Sequence, residues 1–259
     1  MIKEYMSNAA YHEHPAISSS DVKAVASTSL LHWKNKVWKD SPAFQLGTAV
    51  HSLVLEPHLN EMLRGPDTRR GNAWKDAQFA AETDGKTLLT SGDYDKAFVI
   101  ADAVIKTGAG EKMQHKSTVN ESSFFAIDPL TGLEIKCRPD SYDKQGGTIF
   151  DIKTTDDASP RGFARSVGKY EYALQAAFYM HVLTCMEMPA KRFIFVAVEK
   201  EAPFAVGVHE LSIDYLDWAH KRMQNTLARI FDATEAGVYE TEWPLVNKID
   251  LPTWLQEPN

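Results

Sequence analysis

Residues 133–154, LEIKCRPDSYDKQGGTIFDIKT, decide how the rest of the chain is read. Residues 133–142 are rich in strand formers. Asp143-Lys144-Gln145-Gly146-Gly147 has the composition of a tight turn, with two glycines free to adopt positive φ. Residues 148–154 then run apolar, acidic, apolar, basic with many β-branched side chains, which predicts a second strand. Side chains alternate along a strand, so Asp151 and Lys153 share one face and Ile152 takes the other. Asp140 closes the preceding strand, and a hairpin sets it beside Asp151.

Two carboxylates and one ammonium on one side of a sheet admit two readings. Two carboxylates alone repel, and a hard divalent cation between them removes the repulsion. Magnesium favours one or two carboxylates together with waters and phosphate oxygens. A lysine beside such an ion can hold the attacking water or steady developing charge. The alternative is an ordinary hairpin with a surface ion pair, because matches this short arise by chance.

The bulk composition narrows the classes. A chain of 259 residues with 44% hydrophobic and 24% charged residues suits one soluble α/β domain. No apolar run approaches the roughly 20 residues needed to span a membrane. The N-terminus, MIKEYMSNAAYHEHP, lacks an apolar signal core, so no membrane association and a cytoplasmic location are expected. The two cysteines, Cys137 and Cys185, lie far apart in apolar surroundings and read as buried thiols. A net charge of −7 argues against coating nucleic acid by bulk attraction, but it leaves room for an acidic metal site under a local basic rim.

Around the hairpin the chain reads as follows. Residues 1–17 suggest an extended lead-in. Ser18-Ser19-Ser20-Asp21 caps a helix that carries Val22, Val25, Ala26 and Leu30 and is expected to end near Lys36. Trp33 and Trp38 read as packing residues, although an aromatic there can also stack on a base. Pro42 opens a second helix, in which Gly47 and His51 stand four apart on one face. A glycine in mid-helix costs stability, which suggests a close approach there. His51 is either a core histidine or a metal ligand through a neutral ring nitrogen. Residues 56–72 suggest a surface loop whose Arg69 and Arg70 are either solvated charges or phosphate contacts. A short helix over 73–83 follows, then a longer one from Ser91 to about Thr107, stopped by Gly108-Ala109-Gly110.

From Thr118 the pattern turns to strands, and 118–154 is expected to form a three-strand meander. Glu121 is assigned a surface or structural role, or contact with the site through a water. One helix from Pro160 to Met186, bent near Gly168, carries Gln175 and Tyr179 on one face and Arg161, Arg165 and Lys169 as a basic stripe. With Arg138, that stripe supplies candidate phosphate contacts. Strands over 191–199 and 204–211 precede a helix over 213–236 with Leu216, Met223, Leu227 and Ile230 inward. The expected fold is mixed α/β (α+β), with a central mixed sheet covered on both faces.

In sequence order the chain therefore carries GxxxH at 47–51, RPD at 138–140, DIKTT at 151–155 and QxxxY at 175–179. This set resembles the PD-(D/E)XK nuclease superfamily. More narrowly, it is similar to the C-terminal nuclease of exodeoxyribonuclease VIII (RecE-type) from prophage recombination systems. The segments ISSSDVKAVASTSLLHWK, FQLGTAVHSLVLEP, RRGNAWKD and ESSFFAIDPLTGLEIKCRPD extend the resemblance. It implies a single restriction-endonuclease-like or lambda-exonuclease-like domain over 1–259. A mainly helical part over 1–115 would carry His51, a sheet core would occupy 116–240, and 241–259 would be an irregular tail.

The resemblance also implies site roles. Asp140 and Asp151 would be the metal-binding carboxylates and Lys153 the catalytic lysine. His51 would be a ligand or near-ligand, with the main-chain carbonyl of Ile152 facing the ion. Gln175 and Tyr179 would line the site and touch DNA. The implied cofactor is Mg2+, with Mn2+ able to substitute and Ca2+ non-productive. The implied activity is 5′→3′ exonuclease on linear double-stranded DNA ends, leaving 3′ overhangs for a RecT-type single-strand annealing protein. A ring-shaped homo-oligomer would hold the duplex. Iron–sulfur relatives need four clustered cysteines, which this chain lacks. Endonuclease activity, the opposite polarity and a catalytically silent DNA-binding subunit are the alternatives.

Overall fold

A computed structural model describes residues 1–3, 6–37, 41–59 and 61–251. Along the chain, β1 (Ile2–Lys3), α1 (Asn8–Glu13), α2 (Ser19–Ser27), α3 (Leu30–Lys34) and α4 (Pro42–Leu55) come first. They are followed by β2 (Met62–Arg64), α5 (Gly71–Asp84), β3 (Thr87–Leu89), α6 (Ser91–Ile105) and α7 (Gly108–Met113). Then come β4 (Thr118–Asn120), β5 (Ser123–Ile127), β6 (Glu134–Cys137), β7 (Ser141–Asp143) and β8 (Thr148–Thr155). The last elements are α8 (Pro160–Lys169), α9 (Tyr172–Cys185), β9 (Arg192–Glu199), β10 (Val206–Glu210) and α10 (Ile213–Ala236).

The main sheet has five strands in the order β10-β9-β8-β7-β4. Only β8 and β9 run parallel, so the sheet is mixed, with β8 at its centre. The described residues also form a three-stranded sheet, β1-β5-β6, and a two-stranded parallel sheet, β2-β3. Strand alternation sorts the core into two layers. Ile149, Phe193 and Phe195 face α9 and α10, while Phe150, Ile152, Ile194 and Val196 face α4 and α6. Each such side chain taken fully out of water contributes about 1.5–3 kcal/mol. The expected mixed sheet covered on both faces is what forms. Among the described residues no helix is long and apolar enough to cross a membrane.

Several element boundaries differ from expectation, each for a local reason. The lead-in holds β1 and α1. The helix expected to run to Lys36 breaks after Ser27 because Thr28 turns its hydroxyl back to the Ala24 carbonyl at 2.7 Å and Ser29 caps a new helix through the His32 amide. Trp33 packs as expected, donating its indole N–H to Asp21 at 3.0 Å, and Trp38 lies outside the described residues. The loop over 56–72 contains β2. Thr90, not Ser91, caps α6, accepting from the Asp93 amide at 3.1 Å. Gly108-Ala109-Gly110 opens α7 instead of ending in coil.

The expected meander is two pieces in two sheets. The first strand of that meander divides at Glu121, whose φ of 47° cannot continue a strand. Its first part pairs with β7 and its second with β6. The preceding hairpin strand divides at Arg138-Pro139-Asp140, because proline has no N–H for a ladder. The turn after β7 is as expected, although only Gly147 takes a positive φ, at 65°. The long helix divides at Tyr170-Glu171 and not at Gly168. Glu171 has φ 54°, and its carboxylate is held at 2.7 Å by Arg222 of α10.

Candidate active site

The break at Pro139 builds the site. In the β7–β8 register Ser141 faces Phe150, so Pro139 would fall opposite Ile152. Proline cannot donate there, and the strand departs. The Ile152 carbonyl, left without that donor, lies 3.0 Å from His51 Nε2, and the Ile152 amide donates to Asp140 Oδ2 at 2.6 Å. His51 Nδ1 is 3.4 Å from Asp140 Oδ2. Helix α4 thus reaches the open edge of β8 through His51. Gly47, one turn earlier, brings its backbone over the strand. A Cβ at Gly47 would meet Thr154 Oγ1 at 3.6 Å, an ordinary contact, so the protein itself does not crowd this position.

Glu121 arrives at the same place. Its amide donates to the Asp140 carbonyl at 3.1 Å, which fixes the positive-φ turn between β4 and β5. Such a conformation costs a non-glycine residue about 1 kcal/mol. One ligand atom each from His51, Glu121 and Asp140 lies within 4.8 Å of the others. This is a nitrogen–oxygen donor set of the type that holds a hard or borderline divalent cation. Burial, chiefly, raises the Asp140 carboxyl to about 6, and the Asp151 charge adds to the shift while His51 opposes it. Burial together with the Asp140 charge pushes Glu121 well above the carboxylate range. Crowded, desolvated carboxylates of this kind are relieved by a cation, so the residues present fit one.

Asp151 and Lys153 stand on the α9 side of β8. Gln175 Nε2 donates to Asp151 Oδ1 at 2.7 Å, and Lys153 forms an ion pair with Asp151 Oδ2. Burial works against the Lys153 ammonium, but Asp151 and Asp140 outweigh it and hold the group above the ordinary lysine range. Asp151 is therefore not within the His51–Glu121–Asp140 cluster but beside it, joined through Asp140 and Ile152. Tyr179 is buried, tilts against Phe193 at 6.2 Å between centroids, and lines a cleft of about 670 Å³ on the Asp140 side. The hydroxyl resists ionisation because of that burial.

The basic residues divide. Arg138 lines the clefts on both sides of Asp140, stacks on Tyr11 at 4.4 Å and donates to Ser123 and to the Met6 carbonyl. Arg165 and Lys169 line a cleft of about 440 Å³ on the far side of Lys153; Arg165 pairs with Asp157 at 3.1 Å. Arg161 is exposed and lines none of these clefts. Arg69 is tied to Gln45 at 2.5 Å and Asp93 at 3.3 Å, and Arg70 is the exposed residue preceding α5. Lys23 and Tyr172 carry no signal of a site role in the sequence. Lys23 sits 3.5 Å from Gln175 Oε1, and Tyr172 lies under both Lys23 and Lys153.

A mixed sheet whose central strand presents Asp-x-Lys, with Pro-Asp at its open neighbour, defines a PD-(D/E)XK-type nuclease domain. A family profile described as a PDDEXK-like domain of unknown function (DUF3799) matches residues 17–244, and the chain belongs to that family. Among solved structures, a candidate exonuclease from Eubacterium rectale superposes with a TM-score of 0.66 at 16% identity, covering 95% of this chain and 96% of that one. At that identity the likeness speaks to the fold alone. A second structure, SSO0001, reaches a TM-score of 0.33 at 14% identity over 72% of this chain and 85% of that one, too little to bear on either. No curated protein matches the chain.

Proposed function

We propose that the chain is a divalent-metal-dependent exodeoxyribonuclease that degrades linear double-stranded DNA 5′→3′ and leaves 3′ single-stranded overhangs for strand annealing. The observation that carries the nuclease reading is the His51–Glu121–Asp140 donor set beside the Lys153–Asp151–Gln175 chain. Polarity, the annealing partner of RecT type and a ring-shaped homo-oligomer rest on the sequence resemblance to the exodeoxyribonuclease VIII nuclease.

His51, Glu121 and Asp140 would hold the cation, with Asp151 and the Ile152 carbonyl adjoining it. When bound, a divalent cation supplies Lewis-acid neutralisation of charge at the scissile phosphate, and Mg2+ is the proposed ion, with Mn2+ substituting and Ca2+ non-productive. Lys153 keeps its proton, so its ammonium is available where negative charge builds as water adds to phosphorus and the P–O bond breaks. Asp151 aims that ammonium. The cleft of about 680 Å³ lined by His51, Glu121, Arg138, Asp140, Lys153 and Tyr172 is the proposed seat of the scissile nucleotide.

The test is a time course on linear duplex labelled at either the 5′ or the 3′ end, run with Mg2+, with Ca2+ and with chelator, beside closed circular DNA. The proposal expects early release of the 5′ label, Mg2+ dependence and an intact circle. A nicked or linearised circle indicates an endonuclease, early release of the 3′ label indicates the other polarity, and binding without cleavage indicates a silent subunit.

A further inference from the structure

We infer that Lys23 is a positioning residue for catalysis, acting through Gln175 on Asp151 and so on Lys153; this rests on the nuclease reading above. Lys23 lies on α2, between the fully buried Val22 and Val25 that anchor the helix to the core. Its Nζ is 3.5 Å from Gln175 Oε1, and Gln175 Nε2 is 2.7 Å from Asp151 Oδ1. The other Asp151 oxygen pairs with Lys153. A chain of four polar groups therefore runs from α2 through α9 to β8.

The chemistry of the ends fixes the middle. An ammonium only donates and a carboxylate only accepts, so the Gln175 amide has one satisfied orientation, oxygen toward Lys23 and NH2 toward Asp151. Without Lys23 the amide is free to rotate, and Asp151 loses the donor that leaves its second oxygen to Lys153. The placement of α2 is itself braced. Arg222 of α10 donates to the Ala26 carbonyl at 3.0 Å and pairs with Glu171 at the α8–α9 break.

The arrangement costs stability, which argues for a use. The Lys23 and Lys153 ammoniums lie 5.8 and 5.0 Å from the centroid of one ring, that of Tyr172, but only Lys153 pairs directly with the buried Asp151 carboxylate. An apolar side chain at position 23 would spare the fold that like-charge approach. Burial and the Lys153 charge both disfavour the Lys23 ammonium and lower its pKa to about 8.

The experiment uses the full chain and Lys23→Met, which keeps the stem and removes the charge. Cleavage of linear duplex is measured beside Lys23→Arg, Gln175→Leu, the double variant and Lys153→Ala as the control for the site. Lys23→Met is expected to lower kcat about 10-fold or more with KM within about twofold, as loss of an orienting partner does. Lys23→Arg recovers most of the loss, and the Lys23→Met/Gln175→Leu double is no slower than Gln175→Leu alone, because both interrupt one path. Melting temperature stays level or rises.

Losses that multiply in the double variant, or an effect confined to KM, overturn the inference, since Lys23 would then be acting on the substrate directly. A fall in melting temperature that accounts for the lost rate overturns it too. The Gln175 side-chain NH2 resonances, identified by their disappearance in Gln175→Leu, give a readout independent of activity and are expected to shift in Lys23→Met. An inactive wild-type protein sinks the nuclease reading, and unshifted amide resonances sink the role of Lys23.

Discussion

The main-chain amide of Ile152 donates to the Asp140 side chain across 2.6 Å, and the Ile152 carbonyl, to which Pro139 has no N–H to donate, faces His51 Nε2 at 3.0 Å. Asp140 Oδ2 is thus met by the Ile152 amide and, at 3.4 Å, by His51 Nδ1. Asp140→Asn keeps an acceptor for the Ile152 amide and removes a buried charge from beside Asp151 and Glu121. Its expected outcome is loss of cleavage by about 10²–10³, typical for a removed electrostatic group, with a melting temperature no lower than wild type in the absence of cation. Cleavage assays and thermal melts on the same preparation check both halves.

Asp140 also makes the cation effect depend on pH. A carboxyl raised to about 6 in the folded chain binds its proton more tightly there than in the unfolded chain, where it titrates near the ordinary value. Its contribution to stability is therefore complete below about pH 4 and is lost as pH rises to about 6. Above that range the ionised group is a burden that a cation relieves. The increase in melting temperature on adding Mg2+ or Mn2+ is expected to be larger near ~pH 7.5 than near ~pH 5, where protons compete for the same oxygen. Equal increments at both values would place the ion elsewhere.

How much of this was legible in the sequence depends on the range of the signal. Strand β8 was legible because its alternation is local: Asp151 and Lys153 on one face and Ile152 on the other follow from period two alone. A mixed sheet covered by helices on both faces followed from apolar runs of the right length, whereas the division of the meander between two sheets did not. Glu121 was not legible as a member of the donor set. Nothing in its neighbours announces a φ of 47°, and the turn is imposed by Asp140 from another strand. Lys23 was hidden for a similar reason. On α2 it flanks an apolar stripe and reads as a solvated lysine, and only the packing of α2 against α9 brings it to Gln175. Gly47 signalled a close approach, but Thr154 Oγ1 leaves ordinary room, so the space above it belongs to the cleft.

The arginines flagged as phosphate contacts separate in the same way. Arg69 is braced by Gln45 and Asp93 and stacks on Trp74 at 5.2 Å, which makes it a tie between α4, α5 and α6. Lys169 is an exposed residue on the cleft behind Lys153, its ammonium 5.0 Å from the Tyr170 ring centroid. Arg69→Ala is expected to lower the melting temperature by a few degrees with little change in KM for duplex, whereas Lys169→Ala raises KM and leaves melting unchanged. The salt dependence of binding should also flatten in Lys169→Ala and not in Arg69→Ala, because each phosphate contact contributes to that slope.

Gly47 offers the sharpest division between fold and cleft. Replacing a mid-helix glycine by alanine stabilises by roughly 0.5–1 kcal/mol where the methyl is accommodated, and the contact with Thr154 at 3.6 Å accommodates it. Gly47→Ala is therefore expected to raise the denaturation midpoint without changing its slope. Gly47→Leu carries the same helix gain but extends into the cleft of about 680 Å³ that also holds His51 and Lys153. Its expected result is a stable protein whose KM for linear duplex rises several-fold or more, since a steric block at a positioning surface costs substrate fit directly. A Gly47→Leu protein with unchanged KM would mean that DNA does not cross this face of α4.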